Sequence, residues 1–177
     1  MLGTLVPLSA FADASPLEYV GGAVLAAAAD SVTIPVNPVY TMLFIEFYGI
    51  NDGNAKSLYL RFNGDSTSTT YSYQSINATS TTIAGARTTG ANQIVLSADT
   101  LDASVWQEFT AICVKSTAGT AGQVLVQSAY DPAATIKLEL DGAQWGNTSA
   151  PFTSVSVVAS SNNLAAGTTI AVYGLRG

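Results

Sequence analysis

From Leu17 onward the chain reads as short alternating segments separated by turn residues, without sustained 3.6-residue periodicity. The Ala-rich stretch Leu17 to Ala29 has a helix-like composition, but Gly21 and Gly22 interrupt it and Asp30-Ser31 marks a turn. A strand pair is predicted there instead. Val32, Ile34 and Val36 alternate with Ser31, Thr33 and Pro35 in its second member, and Pro35 places that strand at a sheet edge or at its own end. Thr41 to Ile50 is the most apolar run, with Leu43, Ile45 and Phe47 on one face and Met42, Phe44 and Tyr48 on the other, which predicts a strand covered on both faces. After Asn51-Asp52-Gly53-Asn54, Leu58, Leu60 and Phe62 alternate with Tyr59 and Arg61, the pattern of a hairpin partner to that run.

The segment Asn77 to Asn92 is dominated by Ser, Thr, Ala and Gly and reads as a long excursion or as loosely attached edge strands, a candidate contact loop. Five further strands are expected at Trp106 to Lys115, Gly122 to Ala129, Thr135 to Leu140, Phe152 to Val158 and Thr168 to Leu175. In the third of these, Ile136, Leu138 and Leu140 are expected to face the core, and Lys137, Glu139 and Asp141 the water. A total of about eight to ten short strands predicts an all-β fold, a single antiparallel β-sandwich of jelly-roll or Greek-key type. The sandwich is assigned to residues 17–177 and an extended N-terminal arm to residues 1–16. The arm carries small residues around Ala10 and Ala12 in the manner of a signal peptide but lacks a basic start, and it is expected to become ordered by docking on another surface.

Composition adds a reason to think of contact surfaces. Hydrophobic residues make up 48% and charged residues only 10%, against roughly 25% charged residues in soluble domains. Ser, Thr, Asn and Gly fill the gap and are cheaper to desolvate than ions, which suits burial against partners. A Thr-rich strand protein has the same composition for steric reasons alone. The net charge of -6 and the scattered positions of Lys56, Arg61, Arg87, Lys115, Lys137 and Arg176 argue against nucleic acid and anionic membranes as partners. No apolar run reaches the ~18 residues of a membrane helix.

Candidate chemistry is sparse. The chain has no histidine, which removes His-based nucleophile systems and His-ligated metal sites. Cys113, the single cysteine, lies in an apolar run and reads as a buried thiol; Lys115 falls on the same strand face. Glu18, Glu46, Glu108 and Glu139 are available for a two-carboxylate glycoside hydrolase, yet nothing in the sequence brings two of them into a cleft. Glu139 reads as surface, and Glu46 as a paired or interface residue. Asn51-Asp52-Gly53-Asn54 and Asn63-Gly64-Asp65 offer oxygen ligands for calcium but are equally good turn formers, and the EF-hand spacing fails at Lys56. No catalytic residue, metal site or cofactor is therefore assigned. Tyr71 and Tyr73 project from one strand face and Trp145 sits in the turn-rich Asp141 to Asn147; these three are the candidates for partner or glycan contact, with core packing as the alternative.

Four strings then carry a resemblance: Leu60-Arg61-Phe62-Asn63-Gly64-Asp65, Tyr71-Ser72-Tyr73, Trp145-Gly146-Asn147-Thr148 and Ala165-Ala166-Gly167-Thr168-Thr169-Ile170-Ala171-Val172-Tyr173-Gly174. In this order and spacing, over about Gly22 to Gly174, the chain resembles small virion structural proteins of tailed bacteriophages. The resemblance implies a β-sandwich found with head or tail genes, and no catalytic role for the shared strings. They look like fold markers, with Asn63-Gly64 and Gly167 supplying positive-φ turns. The resulting expectation is a non-enzymatic capsid decoration protein on the virion surface, contacting the major capsid protein or tail proteins and forming a homo-oligomer, for which a trimer is the common form. The alternative is a tail- or fibre-associated module that binds a host receptor glycan.

Overall fold

The computed structural model describes residues 17–50, 52, 57–79, 81–96, 106–115, 119–130, 137–161 and 163–177. The expected arm, residues 1–16, lies outside them, as do Asn51, Gly53, Asn54, Lys56 and Ile136. Among the described residues there is no helix, and twelve strands form: β1 (Glu18–Val24), β2 (Ser31–Pro35), β3 (Tyr40–Ile50), β4 (Leu58–Phe62), β5 (Tyr71–Thr79), β6 (Thr82–Ala91), β7 (Ile94–Val95), β8 (Trp106–Val114), β9 (Gly122–Tyr130), β10 (Lys137–Trp145), β11 (Ser154–Ala159) and β12 (Thr169–Arg176). They build an eight-stranded sheet in the order β1-β12-β3-β8-β9-β10-β5-β6 and a four-stranded sheet in the order β2-β11-β4-β7. Each neighbouring pair is antiparallel.

The pairs β1·β12, β2·β11, β3·β8 and β4·β7 are nested, the outermost joining the two ends of the domain. Successive rungs of that ribbon fall in alternate sheets, which is a jelly roll. The hairpin β5–β6 is inserted between β4 and β7, and β9–β10 between β8 and β11. Both additions extend the larger sheet beyond β8. Leu43, Ile45 and Phe47 of β3, Leu60 and Phe62 of β4, Val155 and Val157 of β11 and Val172 of β12 are buried, and the rings of Phe47 and Phe109 stack at 4.7 Å.

The all-β sandwich agrees with the expectation from the sequence, but three local readings do not. The run Thr41 to Ile50 and the segment Leu58 to Phe62 are strands yet not a hairpin: β3 pairs with β12 and β8, and β4 with β11 and β7. The connection between them crosses from one sheet to the other. The first two strands are likewise split, β1 beside β12 and β2 beside β11; β2 is an edge strand that ends on Pro35, as its proline requires. Third, β10 is turned over. Glu139 and Asp141 point inward, at 2% and 0% exposure, while Leu138 and Leu140 face out and are exposed. The apolar phase of that strand is real, but it belongs to an outer sheet face that no second layer of described residues covers.

Candidate functional surface

Three of the four strings, Leu60 to Asp65, Tyr71 to Tyr73 and Trp145 to Thr148, meet at one corner of the sandwich, whereas Ala165 to Gly174 leads into and forms β12 between β1 and β3. Asn63 and Gly64 turn with φ 55° and 66°. The Asn63 side chain donates to the Pro151 carbonyl (2.7 Å) and accepts from the backbone N–H groups of Thr153 (2.7 Å) and Ser154 (3.2 Å), tying the end of β4 to the approach to β11. Asp65 accepts from the Trp145 indole at 3.0 Å and from the Thr67 N–H at 3.0 Å. Burial works against its charge, but these donors and the Thr67 and Thr70 hydroxyls outweigh it and hold the carboxyl below its ordinary value. The Tyr71 hydroxyl accepts from the Phe62 N–H (3.0 Å), and its own hydrogen faces the carbonyls of Asp65 (3.2 Å) and Phe62 (3.4 Å). Phe62, Trp145 and Phe152 pack ring on ring.

Tyr71 and Trp145 are 1% and 0% exposed, so neither is available to stack on a sugar or anchor a partner, and the core reading applies to both. Trp145 is the last residue of β10 and not part of a turn. Tyr73 is half-buried against the core. Lys115 lies with its ammonium 5.1 Å from the centre of the Trp145 ring and donates to the carbonyls of Thr120 (2.6 Å) and Asn147 (2.5 Å). Desolvation lowers its pKa. Cys113 is fully buried and burial pushes its thiol far up, which leaves no thiolate to react.

Of the four glutamates, Glu46 and Glu108 share one shallow groove and the other two lie elsewhere. Glu18 accepts from Tyr40 (2.8 Å) and pairs with Arg176 (3.0 Å), bonds that hold its carboxyl below the ordinary value. Glu46 and Glu108 stand exposed on the adjacent strands β3 and β8. Glu139, expected on the surface, is inside the sandwich. The oxygens of Asn63 and Asp65 already serve neighbouring donors, and Asp52 accepts from Asn163. Among the described residues no group of three or more Asp, Glu, Cys or His side chains gathers in metal-binding geometry.

What the sequence reading missed is the outer face of the eight-stranded sheet. One row across five strands is made of Tyr19, Tyr173, Phe44, Ile112 and Leu125, each opposite the next in register. Towards the inserted hairpins Leu138, Leu140 and Ile76 continue the apolar surface, and Ile83 is exposed on β6. At the opposite end of β3, Tyr48 and Trp106 are exposed and stack on each other with centres 4.6 Å apart. Tyr48, Tyr19, Glu46 and Glu108 line a shallow outer-face groove of about 590 Å³. The available signal was the double-sided apolar alternation of β3: read as coverage on both sides, it marks an uncovered second face.

No protein-family model matches the chain, and no curated protein matches its sequence. Among solved structures, the crystal structure of a xylan β-1,4-xylosidase from Bacillus halodurans C-125 aligns with a TM-score of 0.28 and 8% identity, over 82% of this chain and 29% of that one. The chain thus spans under a third of that protein, and a likeness this distant carries no argument about activity.

Proposed function

We propose that this chain is a non-enzymatic structural protein of a tailed-phage virion, a capsid decoration protein that works by protein–protein contact. The observation that carries the contact role is the outer face of the eight-stranded sheet, where the row Tyr19-Tyr173-Phe44-Ile112-Leu125 crosses five strands with no charged residue in it. A large apolar patch on a protein that must stay in solution marks an association surface. The virion setting rests on the resemblance of the four strings, three of which meet at one structural corner in keeping with a role as fold markers. Decoration entails symmetric self-association, with a trimer expected, and stoichiometric binding to capsid shells. Labelled protein is expected on the head in electron micrographs of the virion; label confined to the tail tip refutes decoration.

A second reading, a tail-associated glycan-binding module, is favoured by one observation: the exposed stacked pair Tyr48–Trp106 beside Glu46 and Glu108, aromatic surface next to hydrogen-bond acceptors. It moves the glycan-contact assignment away from Tyr71 and Trp145. Saturable binding of the isolated protein to host cells, lost in Tyr48→Ala and Trp106→Ala, is its expected signature; wild-type protein that does not bind removes it.

A further inference from the structure

The inner face of the eight-stranded sheet changes character where the inserted hairpins join it. Asn77 of β5, Glu139 of β10 and Ser128 of β9 stand abreast, with Glu139 opposite Asn77 in one register and Ser128 in the other. Asp141, two residues further along β10, lies on the same face opposite Ser75. Glu139, Asp141, Ser128 and Ser75 are all buried. Both carboxylate oxygens of Asp141, the Ser128 Oγ and the Asn77 Oδ1 are buried without a hydrogen-bond partner. Four orphaned oxygens on three adjacent strands depart from the rule that buried polar atoms are satisfied. A carboxylate among them is the most costly to leave so.

No donor, charged or neutral, reaches the Asp141 carboxylate. The inward side chains of the opposite sheet are apolar, among them Leu58, Leu60 and Ile94. Lys137, on the same face of β10, and Glu139 are each engaged in an interaction. An all-oxygen set without nitrogen or sulfur selects hard cations over zinc or copper. Magnesium keeps several waters and a strict octahedron, whereas calcium accepts carboxylate, amide and hydroxyl oxygens in flexible geometry, the kind of set these side chains provide.

We propose that this cluster binds one calcium-type divalent cation between β5, β9 and β10, ligated by Asp141 and Glu139 with Ser128 and Asn77 completing the shell. The ion takes the place of the proton that burial, helped by the charge of Glu139, otherwise keeps on Asp141 by pushing its pKa up to about 8. It fastens the inserted strands to the roll from inside, in a place unrelated to the outer contact face. The site stands or falls independently of the virion assignment.

The test uses the full chain, dialysed against a chelator and titrated with calcium chloride while binding heat and thermal unfolding are followed. One-to-one saturable binding is expected, with the unfolding midpoint rising by about 5–10 °C at a hundredfold excess over Kd. Asp141→Asn is expected to abolish both signals. Ser128→Ala, a nearly volume-neutral change, is expected to weaken binding about tenfold while leaving the chelator-state midpoint in place. If Asp141→Asn does not fold, the serine variant decides alone. Wild-type protein that binds no calcium at millimolar concentration overturns the proposal, and so does binding that both variants leave unchanged.

Discussion

Replacing Tyr71 by Phe removes one oxygen from the most connected corner of the sandwich and nothing else. The Phe62 N–H, which donates to that oxygen at 3.0 Å in a buried setting, is left without an acceptor. The hydroxyl's own bond, to Asp65 O at 3.2 Å or Phe62 O at 3.4 Å, is lost with it. A buried orphaned donor costs about 1–3 kcal/mol and a lost ordinary hydrogen bond about 1 kcal/mol. Because the ring keeps its place between the sheets, there is no cavity contribution, and a loss of about 2–3 kcal/mol is expected. In guanidinium denaturation this appears as a lower midpoint at unchanged slope. In thermal unfolding it appears as a fall of about 5–10 °C for a chain of this size.

Tyr71 also gives an alkaline signature. Desolvation, partly opposed by the Phe62 N–H and reinforced by Asp65, raises its pKa to about 12 from 10.0. The unfolded phenol ionises first, so the native state gradually loses stability as pH climbs from 10.0 towards about 12. Tyr71→Phe is expected to flatten that limb. Tyr73→Phe, altering a half-buried ring with no hydrogen bond among the described residues, serves as the control and is expected to stay within about 0.5 kcal/mol of wild type. A Tyr71→Phe protein indistinguishable from the Tyr73 control at neutral and alkaline pH refutes the assignment of this hydroxyl as a structural tie.

Further outcomes follow from the same geometry. Asp65 has a depressed carboxyl, so its contribution is present above the unfolded pKa and is lost as pH falls through the folded one, below about pH 4; Asp65→Asn is expected to lose stability at neutral pH and show a shallower acid limb in denaturation midpoints. Gly174 leaves space for Tyr40, since a Cβ there lies within 2.9 Å of three carbons of that ring; Gly174→Ala is expected to cost about 1–3 kcal/mol in chemical unfolding. Leu125→Lys, in the middle of the exposed outer row, is expected to leave the unfolding midpoint unchanged while abolishing self-association in sedimentation, and an unaltered oligomer shows that this face is not the interface. The Cys113 thiol is expected to resist a maleimide in native protein and to react once guanidinium unfolds the chain; rapid native labelling contradicts its burial.

The existence of most strands was readable from alternation, because period-two patterning is set by the pleat whatever the sheet assignment, but β6, with little apolar periodicity, and the two-residue β7 were not, so that twelve strands stand among the described residues where about eight to ten were expected. Partner choice was not. The turn residues after Ile50 and the alternation from Leu58 fit a hairpin and a crossover between sheets equally well, and the nested pairing that decides between them joins residues far apart in sequence. Facing was ambiguous for a related reason. On β10 the pattern separates Leu138 and Leu140 from Glu139 and Asp141, but it does not say which set looks inward when the outer face is itself apolar and the inner face turns polar. Trp145 was obscured by Gly142 and by the flanking turn formers, although no heavy atom lies within 4 Å of the Cβ position of Gly142, an open stretch of sheet surface. The burial of Cys113 was legible because its whole neighbourhood in sequence is apolar.

The pairing of β1 with β12 sets a schedule for folding. Glu18 lies opposite Gly174, so β1 must wait for β12, far along the chain, before its inner edge can be closed. β8, β9 and β10, consecutive and adjacent, need no such wait and can zip as they emerge. Such distant pairings slow folding, and until β12 emerges, its future place beside β3 stands open to other chains. In a cell making many copies at once, the interval between the emergence of β1 and that of β12 is therefore when this fold is exposed to aggregation.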